Sequence, residues 1–249
     1  MPLWNPWHGC VKISPGCQNC YVYRRDALYQ RDSSVAVLNS TFRLPLAKKR
    51  DGSYKVPAGT TLYTCFSSDF FLDQADVWRA EAWSMMDLRR DLHFYIITKR
   101  IDRFFVSLPS NWGDGYENVT ICATCEDQQR ADERIPLLLS APLRHREIIC
   151  EPLLEPVDLS HALSTGQIEK VTAGGESGPQ ARVCDLQWIE SLRRQCIAHQ
   201  VPFFFKQTGA RARFCKDGRL YRVPRKDQHA QAKKSGLSFC PHCDTKEFL

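Results

Sequence analysis

Short apolar runs recur through the middle of the chain, each followed by a polar turn and then by a stretch in which apolar residues return every three or four positions. The runs at 62–66, 93–98, 119–123, 147–151, 170–174 and 202–206 are rich in aromatic and β-branched residues, which predicts strands. The stretches 76–91, 128–139 and 185–199 predict amphipathic helices. The last of these aligns Leu186, Ile189, Leu192 and Cys196 on one face, with Asp185 placed to cap it. Strand starts recur at roughly the thirty residues of a βα unit. Near-continuous apolar strands alternating with helices imply a parallel sheet covered by helices. The fold class is therefore α/β, either an open doubly wound sheet or a full or partial (β/α) barrel. After Gly209 the pattern gives way to a basic, turn-rich tail. The chain thus divides into 1–209 and a C-terminal extension, 210–249, expected to pack on the same domain.

In parallel α/β folds the chemistry collects at the carboxyl ends of the strands. Those ends read Ser67-Ser68-Asp69, Thr98-Lys99-Arg100, Thr124-Cys125-Glu126-Asp127, Glu151-Pro152, Gly174-Gly175-Glu176-Ser177-Gly178 and Lys206-Gln207. Any one of these groups could serve as a cap or a surface turn. Together they place several carboxylates, several cations and a glycine-rich turn on one rim.

Composition narrows the class without changing it. The 249 residues, 43% hydrophobic and 25% charged, are those of an ordinary globular domain. The start, Met-Pro-Leu-Trp-Asn-Pro, has neither a basic nor an apolar leader segment, and no uncharged apolar run approaches spanning length, so a cytoplasmic protein without membrane contact is expected. Twelve cysteines in such a setting read as metal ligands plus buried small hydrophobes, and Cys65, Cys122, Cys150 and Cys196 sit in apolar stretches that predict packing. The net charge of +6 is concentrated: residues 210–236 hold nine Lys or Arg against Asp217 and Asp227, and the remainder is close to neutral. With Phe214, Tyr221 and His229 interleaved, this segment could track a phosphate backbone and stack on bases, or form a solvated surface.

The most specific chemistry is at the start. Cys10, Cys17 and Cys20 lie within eleven residues. Four cysteines would close a structural zinc site or fully ligate a cubane, whereas three leave one metal position open, which points to an iron–sulfur cluster with a catalytic use. Trp4 and Trp7 are expected to pack over this loop, and His8 to be a turn residue. Two Cys-x-x-Cys knuckles, Cys17/Cys20 and Cys240/Cys243, could instead share a zinc ion, leaving Cys10 unexplained. A separate zinc at Cys240/Cys243, completed by Cys215, His229 or His242, is the further candidate.

The run from Trp4 to about Gly236 resembles a phage-associated family of three-cysteine proteins within or beside the radical S-adenosylmethionine superfamily. The likeness is carried by Trp4-Asn-Pro, Gly9-Cys10, Ser14-Pro-Gly-Cys17, Cys20-Tyr21, Ser67-Ser-Asp69, Thr98-Lys-Arg100, Ala131-Asp-Glu-Arg-Ile-Pro136, Cys150-Glu-Pro-Leu-Leu154, Gly174-Gly-Glu-Ser-Gly178 and Phe203-Phe-Phe-Lys-Gln207. The Ala131-to-Pro136 stretch also looks similar to the spore photoproduct lyase branch. The resemblance implies a partial (β/α) barrel, a [4Fe–4S] cluster on Cys10, Cys17 and Cys20, and S-adenosylmethionine as the source of a 5′-deoxyadenosyl radical. It further implies Ser68 and Asp69 at the methionine amino group, Glu126 near the ribose, and Gly174 and Gly175 where backbone meets the adenine or carboxylate. The superfamily's usual spacing puts three residues between the first two cysteines, and here there are six, Val11 to Gly16; Pro15 and Gly16 can turn the longer loop back.

The resulting expectation is a radical enzyme that alters a nucleic-acid base, with a pyrimidine of phage DNA as the concrete version, in a phage-infected or prophage-carrying cell. Glu151, Glu176 and Lys206 are its candidates for substrate contact or proton management. DNA would bind residues 210–236, and a reductase or flavodoxin-type protein would donate electrons. The rivals are a non-catalytic nucleic-acid-binding protein with a structural cluster or zinc, and an enzyme of small-molecule metabolism with an incidental basic tail.

Overall fold

The structure is a computed structural model and describes residues 2–214 and 218–241. Cys215, Lys216, Asp217, His242 and Cys243 lie outside the described residues. The chain forms two compact units: one comprises residues 1–13, 22–123 and 140–145, the other 14–21, 124–139 and 146–249.

In the first unit the main strands are β1 (Leu3–Trp4), β4 (Thr61–Thr64), β5 (His93–Thr98) and β6 (Val119–Thr124), parallel and in that order. Between the first two lie the short antiparallel pair β2 (Trp7–His8) and β3 (Val37–Leu38), and the helix α1 (Tyr21–Ala27). Helix α2 (Asp76–Leu88) follows β4 and buries Arg79, Ala82, Trp83, Met85 and Met86. Its Trp83 meets Phe70 at 4.7 Å and Trp112 at 4.9 Å, centroid to centroid, in an edge-on aromatic core. Strand β6 is buried along its whole length, as expected of a parallel strand covered on both faces.

In the second unit, α3 (Gln128–Ser140) is followed by β7 (His145–Cys150), α4 (Ser160–Ser164), β8 (Lys170–Gly174), β9 (Cys184–Asp185), α5 (Leu186–Ala198), β10 (Phe203–Gln207), β11 (Arg211–Arg213), β12 (Leu220–Arg222) and α6 (Gln228–Lys234). Strands β7, β8 and β10 are parallel neighbours in that order. The face of α5 expected from periodicity is the buried one, with Leu186, Ile189, Leu192 and Cys196, and the Asp185 side chain accepts the Gln187 amide at 2.9 Å as its cap. The basic segment belongs to this unit. Strand β11 pairs in parallel with β9 and antiparallel with β12, and α6 lies beside β10. The fold is therefore mixed α/β with seven parallel main strands, and among the described residues no helix is long and apolar enough to cross a membrane.

Candidate functional site

The described free cysteines sort by exposure. Cys65, Cys122, Cys125, Cys150, Cys184 and Cys196 are buried, while Cys10, Cys17 and Cys20 are half-exposed. Burial pushes the Cys65 and Cys150 thiols well up and those of Cys184 and Cys196 up to about 12, so these four are protonated packing residues. The packing expected at Cys65, Cys122, Cys150 and Cys196 is what is found. Cys240 is disulfide-bonded.

Cys10 belongs to the first unit, where a dense set of polar groups fixes its loop. Trp4 and Trp7, which precede it in the chain, are wholly buried, their indole N–H groups donating to the Phe42 and Asp69 carbonyls at 2.9 and 3.1 Å. The Cys10 amide donates to the Ser33 carbonyl at 2.7 Å, and the Tyr23 hydroxyl donates to the Cys10 carbonyl. The Arg100 guanidinium lies 3.5 Å from the Cys10 sulfur and donates to the Val11 carbonyl at 2.5 Å. Ser68 donates to the Gly9 carbonyl. Asp69 accepts from Thr98 Oγ1 at 2.7 Å and from the Lys99 and Phe71 amides at 2.9 and 3.0 Å, and stands 3.4 Å from Arg100. Ser68 and Asp69, expected at a methionine amino group, thus brace the Cys10 loop through protein partners. His8 is held by Asp26 at 2.7 Å, which also accepts from Ser33 at 2.6 Å.

Cys17 and Cys20 belong to the second unit, on a loop opened by the turn Pro15–Cys17. Glu126, at the end of β6, is fully buried and reaches up to it. One oxygen accepts from Ser14 Oγ and, at 3.2 Å, from the Gly16 amide; the other pairs with Arg134 at 2.7 Å. Glu176, after β8, accepts from Asn19 at 3.0 Å and is gripped by Arg182, whose backbone and side chain both donate to it. Burial pushes the Glu176 carboxyl up, but the Arg182 and Asn19 hydrogen bonds and the Arg182 charge outweigh it, and the group titrates below its ordinary range. Both carboxylates serve the cysteine loop. The sequence suggests Glu126 near a ribose and Glu176 for substrate contact or proton management, and does not single out Ser14, Asn19, Arg134 or Arg182 as their partners. The available signal was that a carboxylate buried at a strand end needs a cation within a few residues.

Glu151 stands apart from these clamps. After a cis bond to Pro152, its carboxylate pairs with Lys206 at 2.7 Å and accepts from Gln207. These half-buried groups gather at the ends of β7 and β10, beside Gly174, whose hypothetical Cβ would stand 3.2 Å from Glu151 Oε1. At Gly175 a Cβ would come within 2.3 Å of the Thr208 carbonyl, so the close approach that requires glycine there is made by the protein's own backbone. His229 of α6 contacts the Lys206 carbonyl at 2.9 Å, which brings the basic segment beside this pair. Arg211 and Arg222 stand directly opposite in the β11–β12 ladder, and Arg211 Nε is buried with no hydrogen-bond partner among the described residues. The Phe214 and Tyr221 rings meet edge-on at 4.9 Å.

The chain matches the family described as "Protein of unknown function (DUF5131)" over residues 2–236. It belongs to that family. No curated protein and no solved structure matches it. Among the described free cysteines, Cys10, Cys17 and Cys20 are the ones with exposed surface. Among the described residues no group of three or more His, Cys, Asp or Glu side chains is gathered closely enough to hold a metal ion.

Proposed function

We propose that this protein is a radical S-adenosylmethionine enzyme, built on the partial (β/α) barrel its sequence resembles, that holds a [4Fe–4S] cluster with Cys10, Cys17 and Cys20 and modifies a nucleic-acid base. The observation that carries the reading is the contrast among cysteines: the three grouped in sequence are the half-exposed ones, and their loops are braced by buried polar groups. When bound, such a cluster supplies an electron to the sulfonium of S-adenosylmethionine and thereby a 5′-deoxyadenosyl radical. The chain's own residues do the positioning. Arg100 donates to the Cys10 sulfur at 3.5 Å, and the buried Trp4 and Trp7 anchor the start of the chain that leads to it. Glu151, Lys206 and Gln207 form a further polar group at the strand ends, the candidate for substrate contact or proton management.

DNA as substrate, with a phage pyrimidine as the concrete version, is supported by the basic segment beside Lys206 and by the paired arginines of the β11–β12 ladder. Like charges directly opposite on two strands repel, and an anion relieves them. A reductase or flavodoxin-type donor would supply the electron. The alternative, a nucleic-acid-binding protein with a structural metal, is favoured by one fact: Glu126 and Glu176 are spent on internal pairs.

Anaerobic reconstitution separates the two. Bound iron and sulfide, lost in C10A, C17A and C20A, together with 5′-deoxyadenosine release on adding dithionite and S-adenosylmethionine, support the enzyme. A cluster indifferent to S-adenosylmethionine supports the binding protein, and a colourless, iron-free chain overturns both cluster readings.

A further inference from the structure

We infer that Glu126 and Glu176 are positioning residues that clamp the two ends of the segment from Ser14 to Cys20 and so set the placement of the Cys17 and Cys20 sulfurs. That purpose rests on the three-cysteine reading proposed above; the clamp itself rests on geometry within the second unit alone.

At the leading end, Glu126 uses one oxygen for two donors of the loop, the Ser14 hydroxyl and the Gly16 amide, and anchors the other on Arg134. Arg134 is itself fixed on the Thr124 carbonyl at 2.6 Å, so the carboxylate cannot swing away without stranding a buried cation. Its close approach is possible because residue 16 is glycine. A Cβ there would lie 2.8 Å from Glu126 Oε1 and 2.9 Å from its carboxyl carbon, and a side chain pinned at both oxygens has little freedom to give way. At the trailing end, Asn19 donates to Glu176 at 3.0 Å and to the Gln180 carbonyl at 2.9 Å, while Arg182 spans from Glu176 to Gln18 at 3.3 Å. Between these ends the loop closes on itself, with the Cys17 amide donating to the Ser14 carbonyl and the Cys20 amide to the Cys17 carbonyl. Ser14 Oγ also stands 3.7 Å from the Cys17 sulfur. One buried ion pair, Glu126–Arg134, and one half-buried pair, Glu176–Arg182, thus hold a short segment carrying two half-exposed thiols. Burying a charge is costly and is repaid where geometry must be specified, which two metal-ligand positions require.

Thiol reactivity of the metal-free, fully reduced, full-length protein tests the clamp without invoking any cofactor. Iodoacetamide labelling followed by peptide mass spectrometry gives a rate for each of Cys10, Cys17 and Cys20. Ser14→Ala and Asn19→Ala remove the loop's donors while leaving Glu126–Arg134 and Glu176–Arg182 intact, and Gly16→Ala wedges the loop off Glu126. Each is expected to change the Cys17 and Cys20 rates several-fold and to leave the Cys10 rate unchanged, with a fall in the thermal midpoint that is largest for Gly16→Ala. Ser14→Thr, which keeps the hydroxyl, is expected to restore the wild-type rates. Unaltered Cys17 and Cys20 rates in all three variants overturn the clamp. So does a uniform acceleration of all three thiols with a lowered midpoint, which would mean general loosening. Iron binding is read separately: a wild-type chain that takes up no iron while the rates respond as expected sinks the cluster reading and leaves the clamp standing.

Discussion

At the residue scale, the polar groups around the cysteine loops are where charge is buried, and so where substitutions should cost most. Glu126 has no exposed surface, and Arg134 is its cation. Arg134→Ala would leave a carboxylate stranded in the interior, at a cost of about 3–5 kcal/mol in urea unfolding; a loss below about 1 kcal/mol would mean that Glu126 simply protonates or finds water. Glu176 gives a pH signature. Its carboxyl titrates below its ordinary value of 4.5 in the folded protein, so the unfolded chain binds more protons over that interval and stability rises with pH there. The contribution is full above 4.5 and fades as pH falls through the folded value. Glu176→Gln should flatten this part of the acid limb, measured as the midpoint of urea unfolding against pH, and an unchanged limb would assign the acid sensitivity to other groups. The position of the thiols was legible from spacing alone. What holds them was not: Ser14 to Glu126 and Asn19 to Glu176 are contacts across more than a hundred residues, and no local pattern announces them.

At the element scale the sequence was informative wherever burial is continuous. Strands β5 and β8 begin and end where their apolar runs do, and β6 and β7 differ from theirs by a residue or two. The two-residue strands β1, β2, β3 and β9 carry too few positions for a period of two to register, and pairing rather than pattern defines them. Helix α5 shows both levels agreeing, since the expected face is buried and the expected cap is made. Asp185→Ala should therefore cost about 1 kcal/mol through the lost cap. The residue also stands 3.4 Å from Arg213 of β11, an exposed partner at long distance. If the cap dominates, the destabilisation will be nearly the same in low and in 0.5–1 M salt, that is, at a Debye length of about 3–4 Å. A loss that disappears on adding salt would shift the weight to the ion pair.

At the scale of the whole molecule, the α/β class with parallel strands was readable because βα alternation is a global rhythm of the sequence, whereas the division into two units was not. The first unit takes in the start of the chain and 22–123, the second 14–21 and most of the rest, so the boundary cuts between Cys10 and Cys17, where composition does not change. Charge is the other global property, and its asymmetry makes the strongest claim about a partner. Arg211, Arg213, Arg219 and Arg222 lie on or beside the β11–β12 pair, and Lys233 and Lys234 close α6. If these groups neutralise phosphates, binding of duplex DNA must weaken as salt rises, with a slope of about −0.9 per phosphate contacted. Replacing Arg211, Arg219 and Arg222 together by Gln should then lower affinity for every duplex alike and make the slope shallower by about three. Fluorescence anisotropy over a potassium chloride series measures both quantities. A surface that only meets solvent predicts something different: the same shallow dependence in wild type and variant, since charges that contact no phosphate release no counterions from DNA. A steep wild-type slope that the triple variant leaves intact would place the DNA elsewhere on the molecule, and would remove the basic segment from the argument for a nucleic-acid substrate.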